Sequence, residues 1–321
     1  MCSQALIPGN EKPANLLEDS DHYFNQLNSM KMIQKLTGAL IVLLAITGAC
    51  KKTAEPQTEA DGGGNKPKSV ATTSAIKSSF SLNWDSNTNG TYTSSQAGTD
   101  FGNVSGWNQS RANITGGQSG KGVQVVLLPN ALSGNGGLIA NVDISDGSAY
   151  EMDYDIKFHS QFNWSRGGKV GFGFLVGDGN TGGDPGWDGN GGSLRIMWYS
   201  PDSNPNRVFF QPYVYYKDQP GEYGDSFTQR YPSSGALQKG VWYHVHMYIK
   251  SNTGSNNDGR AQILINGSPI LDTNIRWTTN DSKRLIKNLS FHTFRGGSQS
   301  YWQASTQDYI YYDNLTVHKI Q

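Results

Sequence analysis

Tyr150–Phe158 reads YEMDYDIKF. Tyr150, Met152, Tyr154, Ile156 and Phe158 are apolar, whereas Glu151, Asp153, Asp155 and Lys157 are charged. Successive side chains of a strand point to opposite faces of a sheet, so this period of two marks a strand with one buried and one wet face. The same parity recurs along the chain. In Ser193–Tyr199, Leu194, Ile196 and Trp198 face a core, while Ser193, Arg195, Met197 and Tyr199 face away. In Phe209–Lys217, Phe210, Pro212, Val214 and Tyr216 read as inward, with Gln211, Tyr213, Tyr215 and Lys217 opposite. In Val241–Lys250, Val241, Tyr243, Val245, Met247 and Ile249 share one face and Trp242, His244, His246 and Tyr248 the other. Asn266-Gly267, between Arg260–Asn266 and Ser268–Asp272, is a type I′ hairpin signal. Asn288–Phe294 and Tyr309–Val317 continue the pattern. No amphipathic helix is expected after Cys50. Many short strands with glycine-rich turns predict an all-β fold, a two-sheet antiparallel sandwich of the β-jelly-roll kind.

Composition agrees. The 321 residues include 39 Gly, 16 Tyr, 12 Phe and 8 Trp, with only 16% charged. So many aromatics with so little charge argue against disorder of the whole chain. Lys and Arg number 26, matching the 26 Asp and Glu, so the chain lacks the cationic excess of a nucleic-acid binder. Two cysteines cannot form a disulfide framework or a four-cysteine zinc site.

The first 50 residues read as an N-terminal extension plus a signal sequence. Lys31 and Lys35 precede the apolar run Leu36–Thr47, and Gly48 and Ala49 stand before Cys50. This resembles a bacterial lipoprotein signal with lipidation at Cys50. It implies attachment to the membrane and a place at the cell envelope, or else secretion. Residues 51–79, rich in Gly, Thr, Ser, Lys and Pro, read as a flexible linker. Residues 80–321 are then one β domain, expected to act as a monomer.

The outward face of three strands carries chemistry. Lys169, Ser193, Arg195, Gln211, Tyr213 and Tyr215 are cationic, phenolic or polar. Lys169 shares its parity with Gly171 and Gly173, which predicts bare backbone beside it, open to the close approach of a sugar ring. If the three strands are neighbours, these residues floor a groove.

The arrangement resembles polysaccharide lyase family 14. The stretches that carry the resemblance are Trp164–Phe174 (WSRGGKVGFGF), Ser193–Trp198 (SLRIMW), Tyr213–Tyr215 (YVY) and Phe291–Asp313 (FHTFRGGSQSYWQASTQDYIYYD). The resemblance implies a jelly roll with a groove on its concave sheet and a catalytic set of Lys169, Ser193, Arg195, Tyr213 and Tyr215. It also implies β-elimination on a 4-linked uronic-acid polymer such as alginate or glucuronan. That chemistry needs three things. A guanidinium suits the substrate carboxylate as it becomes enolate-like, which points to Arg195. A base must take the C5 proton and an acid must protonate O4; Lys169 and the two tyrosines are the candidates, in either order. Ser193 would bond the carboxylate or a hydroxyl. No cofactor is required.

Further substrate-binding candidates are Gln211, Lys217, His244, His246 and Trp187, the last as a stacking ring. The histidine pair could instead be a metal site, although no metal ligand set is expected. Asp178, Asn180, Asp184 and Asp188 offer a structural Ca²⁺ option in the 178–188 loop, although their spacing matches no EF-hand; a lid is the other reading of this loop. Two rival functions remain open. One is a non-catalytic carbohydrate-binding jelly roll. The other is a glycoside hydrolase using carboxylates of Glu151, Asp153 and Asp155.

Overall fold

The computed structural model describes residues 75–321. The signal sequence, Cys50 and the linker up to residue 74 lie outside the described residues. Backbone pairing begins shortly before Phe80: Ser145 N donates to the Lys77 carbonyl at 3.0 Å.

The alternating segments pair into two antiparallel sheets. One has six strands in the order β10 (Phe209–Tyr215), β9 (Gly191–Tyr199), β8 (Gly167–Gly177), β14 (Ile286–Arg295), β6 (Leu138–Gly147) and β3 (Val104–Ser105). The other has nine. Its order is β13 (Ser268–Ile275), β12 (Gly259–Ile265), β11 (Trp242–Lys250), β7 (Ala149–Phe158), β15 (Asp308–Lys319), β5 (Lys121–Leu127), β4 (Ala112–Gly116) and β2 (Gly90–Thr91), with β1 (Phe80–Leu82) also on β15. The hairpin at Asn266-Gly267 has both residues at positive φ, 49° and 76°, as a type I′ turn demands.

The inward parities meet between the sheets. Tyr150, Met152, Tyr154, Ile156 and Phe158 of β7 are fully buried, as are Leu194, Ile196 and Trp198 of β9. Phe172 of β8 stacks on Phe291 of β14 at 4.2 Å, and Tyr154 and Tyr312 from the opposite sheet reach Phe172 at 5.4 and 5.9 Å. Two short helices, Ser94–Phe101 and the single turn Ser133–Gly136, depart from the all-strand expectation. Helix α1 (Ser94–Phe101) starts at a capping box, in which Thr93 Oγ1 accepts from Gln96 N and Gln96 Oε1 accepts from Thr93 N. It buries only Ala97 and Phe101, one turn apart, too little to register as an apolar stripe.

The parity of β8 breaks at Gly171. The register with β9 shifts between Val170 and Phe174, and Gly171 has φ +77°. Its amide turns inward and donates to Tyr312 Oη at 3.0 Å. A Cβ there would lie 2.6 Å from Tyr154 Oη, so Gly171 faces the core rather than baring backbone beside Lys169. We expect Gly171→Ala to lower stability by about 2 kcal/mol, through positive φ and overpacking against Tyr154. Urea unfolding checks this; an unchanged midpoint would mean the bulge can relax.

Candidate active site

Antiparallel pairing of β10 with β9 and of β9 with β8 brings the outward residues together. Tyr213 stands opposite Arg195, Gln211 opposite Met197, and Met197 opposite Lys169. On the other side of β8, Lys169 faces Phe294 of β14. The result is a groove on the outer face of the six-stranded sheet. It comprises adjoining recesses of about 380 and 300 Å³ that share Lys169, Tyr213, Tyr223 and Gly297. The first recess holds Arg195, His292 and Phe294; the second runs over Met197 and Gln211 to Tyr199 and Trp302.

Arg195 lies flat on the sheet. Gly173 permits this, because a Cβ there would meet Arg195 Cγ at 2.7 Å. The surface at Gly173 is thus covered by an arginine, not left open to a sugar. Arg195 is 4% exposed, and its guanidinium sits 5.5 Å from the ring centres of both Tyr213 and Tyr215. NH1 faces His292 Nδ1 at 3.4 Å, while Nε and NH2 have no partner among the described residues. No carboxylate of the described residues bonds it. A buried cation with unused donors is a costly arrangement, and an anionic ligand resolves it.

Lys169 Nζ lies 4.0 Å from the centre of the Tyr213 ring. Burial first, and the neighbouring Arg195 charge second, pull its ammonium down to about 7. A substantial neutral amine fraction therefore exists near neutral pH. Tyr213 behaves in the opposite way. Burial and the adjacent Tyr215 raise its phenol well above the usual range, outweighing Arg195 and a backbone hydrogen bond from Gly224. Of these two groups, only the Lys169 amine can accept a proton near neutral pH, while Tyr213 stays protonated.

His292 escaped the residue-by-residue reading. It is outward on β14, with the parity of Ser290 and Phe294, but the sequence does not show that β14 lies beside β8. Its Nε2 faces Asn141 Oδ1 at 3.1 Å. With Nε2 donating to that oxygen, Nδ1 is free to accept from Arg195. Burial and the charges of Arg195 and Lys169 depress its pKa to about 3, so it is neutral and orients the guanidinium. Tyr223 and Gly297 also come from loops with no periodic signal.

Ser193 and Tyr215 are placed differently from their neighbours. Both are fully buried. Ser193 Oγ donates to the Asn180 carbonyl at 2.8 Å, and Tyr215 Oη accepts from Gly183 N at 3.1 Å. Their polar atoms anchor the 178–190 loop, whose Thr181 and Gly182 wall the first recess. Ser193 is therefore not positioned to bond a sugar carboxylate.

Of the other binding candidates, only Gln211 lines the groove. Trp187 Nε1 donates to the Gln219 carbonyl at 2.9 Å and Lys217 Nζ donates to the Trp187 carbonyl, so this pair ties two loops together outside either recess. His244 and His246 lie on β11, in the other sheet. They bond Asp153 and Asp155 at 2.9–3.1 Å, remote from the groove because outward parity does not reveal which sheet a strand joins. The same placement removes Asp153 and Asp155 from hydrolytic work, since both are bonded to imidazoles on the wrong face. In the 178–188 loop, Asp178 pairs with Lys283, Asp184 accepts from Asn180 and Asp188 from Asn190, so these carboxylates diverge to separate partners. Among the described residues no group of three or more His, Cys, Asp or Glu could hold a metal.

A lysine beside an arginine with unused donors, on the open face of a jelly-roll sandwich, suits an anionic polymer, and the family match identifies the class as a polysaccharide lyase. The chain belongs to the family described as Polysaccharide lyase 14, which it matches over residues 132–315. It is similar to alginate lyase Aly36B, solved as a variant in complex with an alginate tetrasaccharide: 66% identity over 77% of this chain and 99% of that one, with a TM-score of 0.74. Two more distant structures share the fold. The marine PL-14 alginate lyase from Aplysia kurodai is 20% identical over 76% of this chain and 100% of its own, with a TM-score of 0.59. The alginate lyase vAL-1 from Chlorella virus is 24% identical over 70% and 95%, with a TM-score of 0.56. No curated protein matches the chain.

Proposed function

We propose that this protein is an alginate lyase in which Lys169 is both base and acid. The observation that carries the reading is the juxtaposition of a lysine with a pKa of about 7 and a buried arginine whose Nε and NH2 are unused. The likeness to Aly36B supports alginate as the polymer. The substrate carboxylate docks on the free edge of Arg195, whose fork matches it and whose charge holds the electron density that develops when C5–H breaks. Neutral Lys169 takes the C5 proton. The electron pair forms the C4=C5 bond and expels O4. Where C5–H and O4 lie on the same face of the ring, the new ammonium returns the proton to O4. The Tyr213 ring beneath Lys169 stabilises the transient cation. The Tyr213 phenol, protonated throughout, is kept as a hydrogen-bond donor.

Turnover then has a defined acid limb. Only neutral Lys169 can accept the proton, so kcat/KM should fall as the pH drops through about 7. The ultraviolet absorbance of the unsaturated uronate, followed across pH on alginate, measures this. No absorbance on alginate would refute the substrate assignment. A limb that persists in Lys169→Ala would assign the titration to another group.

A further inference from the structure

Past Met197 the groove floor continues into a cluster that the elimination chemistry does not use. Tyr199 is the last outward residue of β9. Its ring meets Phe209 of β10 edge-on, with centres 5.8 Å apart. A guanidinium lies over each: Arg166 Cζ is 5.8 Å from the Tyr199 centre and 5.4 Å from that of Tyr301, and Arg230 Cζ is 5.4 Å from Phe209. Trp302, which lines the second recess, is 6.1 Å from both Tyr199 and Tyr301.

Arg166 is poorly satisfied. NH1 reaches Asp202 and NH2 reaches Tyr199 Oη, each at 3.4 Å, and Nε is buried with no partner among the described residues. Asp202 is 82% exposed, so the pair is weak and open to exchange. Arg230 is exposed and donates Nε and NH2 to the Ser233 carbonyl. Four residues of strand separate Tyr199 from Arg195, about 13 Å. That is a few pyranose rings away from the reacting sugar.

We propose that Arg166, Tyr199, Tyr301 and Trp302 form a distal subsite that takes the carboxylate and one ring face of a uronate well along the chain from the bond being cut. The proposal rests on the polyuronate reading of the groove. A polyuronate carries a carboxylate on every ring, so a second cation at this spacing meets a second negative charge of the same chain. The guanidinium fork suits a carboxylate, and flat aromatic surfaces suit the apolar face of a sugar. Arg230 adds charge on the far side of Phe209. The subsite favours long chains over short ones.

The test compares chain lengths. For Arg166→Ala, KM on the long polymer should rise roughly tenfold with kcat unchanged, the loss of one partly exposed charge-assisted contact. KM on the shortest oligomer still cleaved should not move, and Arg166→Lys should fall between, keeping charge without the fork. Equal changes at every chain length, or none, overturn the subsite. Polymer binding in the Lys169→Ala background separates it from the lyase reading. If wild type yields no unsaturated product yet binding still weakens on removing Arg166, the subsite stands and the lyase reading fails. If binding ignores Arg166, the subsite fails whatever the wild-type turnover.

Discussion

Lys169→Ala should lower kcat on polyuronate by about a thousandfold or more, while the protein folds and still binds the polymer. General base and acid catalysis contribute roughly 10²–10⁴ in rate each, and in the proposed mechanism one side chain performs both steps. The substitution also removes a cation from above the Tyr213 ring and from beside Arg195, so the fold loses little. Lys169→Arg should not restore turnover. A guanidinium keeps the charge but stays protonated, so it cannot accept the C5 proton. Steady-state kinetics with circular dichroism decide the matter. Activity within tenfold of wild type in either variant would move the base elsewhere, with Tyr213 next to be tested.

Arg195→Met should reduce kcat by about 10²–10³, the range for losing a preorganised donor aimed at developing charge. Its effect on stability should have the opposite sign from most core substitutions. The wild-type guanidinium is almost fully buried, and two of its nitrogens lack partners. An apolar side chain of similar length removes that penalty, so Tm should stay level or rise. A scanning calorimetry trace with Tm several degrees lower would show that Arg195 is chiefly structural. Unchanged kcat would remove it from the reaction.

Much of this was readable from side-chain alternation. The parities of β8, β9 and β10 put Lys169, Arg195, Gln211 and Tyr213 on an outward face, and pairing then joined those faces into one floor. Alternation fails where a backbone bulge intervenes, as at Gly171, and where a short helix is held by a cap, as at Thr93. It also says nothing about which strands are neighbours. His244 and His246 point outward as Lys169 does, yet they belong to the other sheet, while His292 was passed over beside the reacting groups. Ser193 shows a third limit: its outward parity is correct, but the 178–190 loop folds over it and takes its hydroxyl.

The bulge at Gly171 has a consequence for how such an enzyme diversifies. Its amide is fastened by the Tyr312 hydroxyl from the opposite layer, two residues from the Lys169 amine. The reactive nitrogen thus takes its bearings from the interior, whereas Tyr223, Gly182 and Gly297, which wall the groove, sit on turns that contribute little to that interior. Loop drift can retarget the enzyme to a new sugar without disturbing the proton-transfer step, so appetite and chemistry are free to evolve on separate parts of the chain.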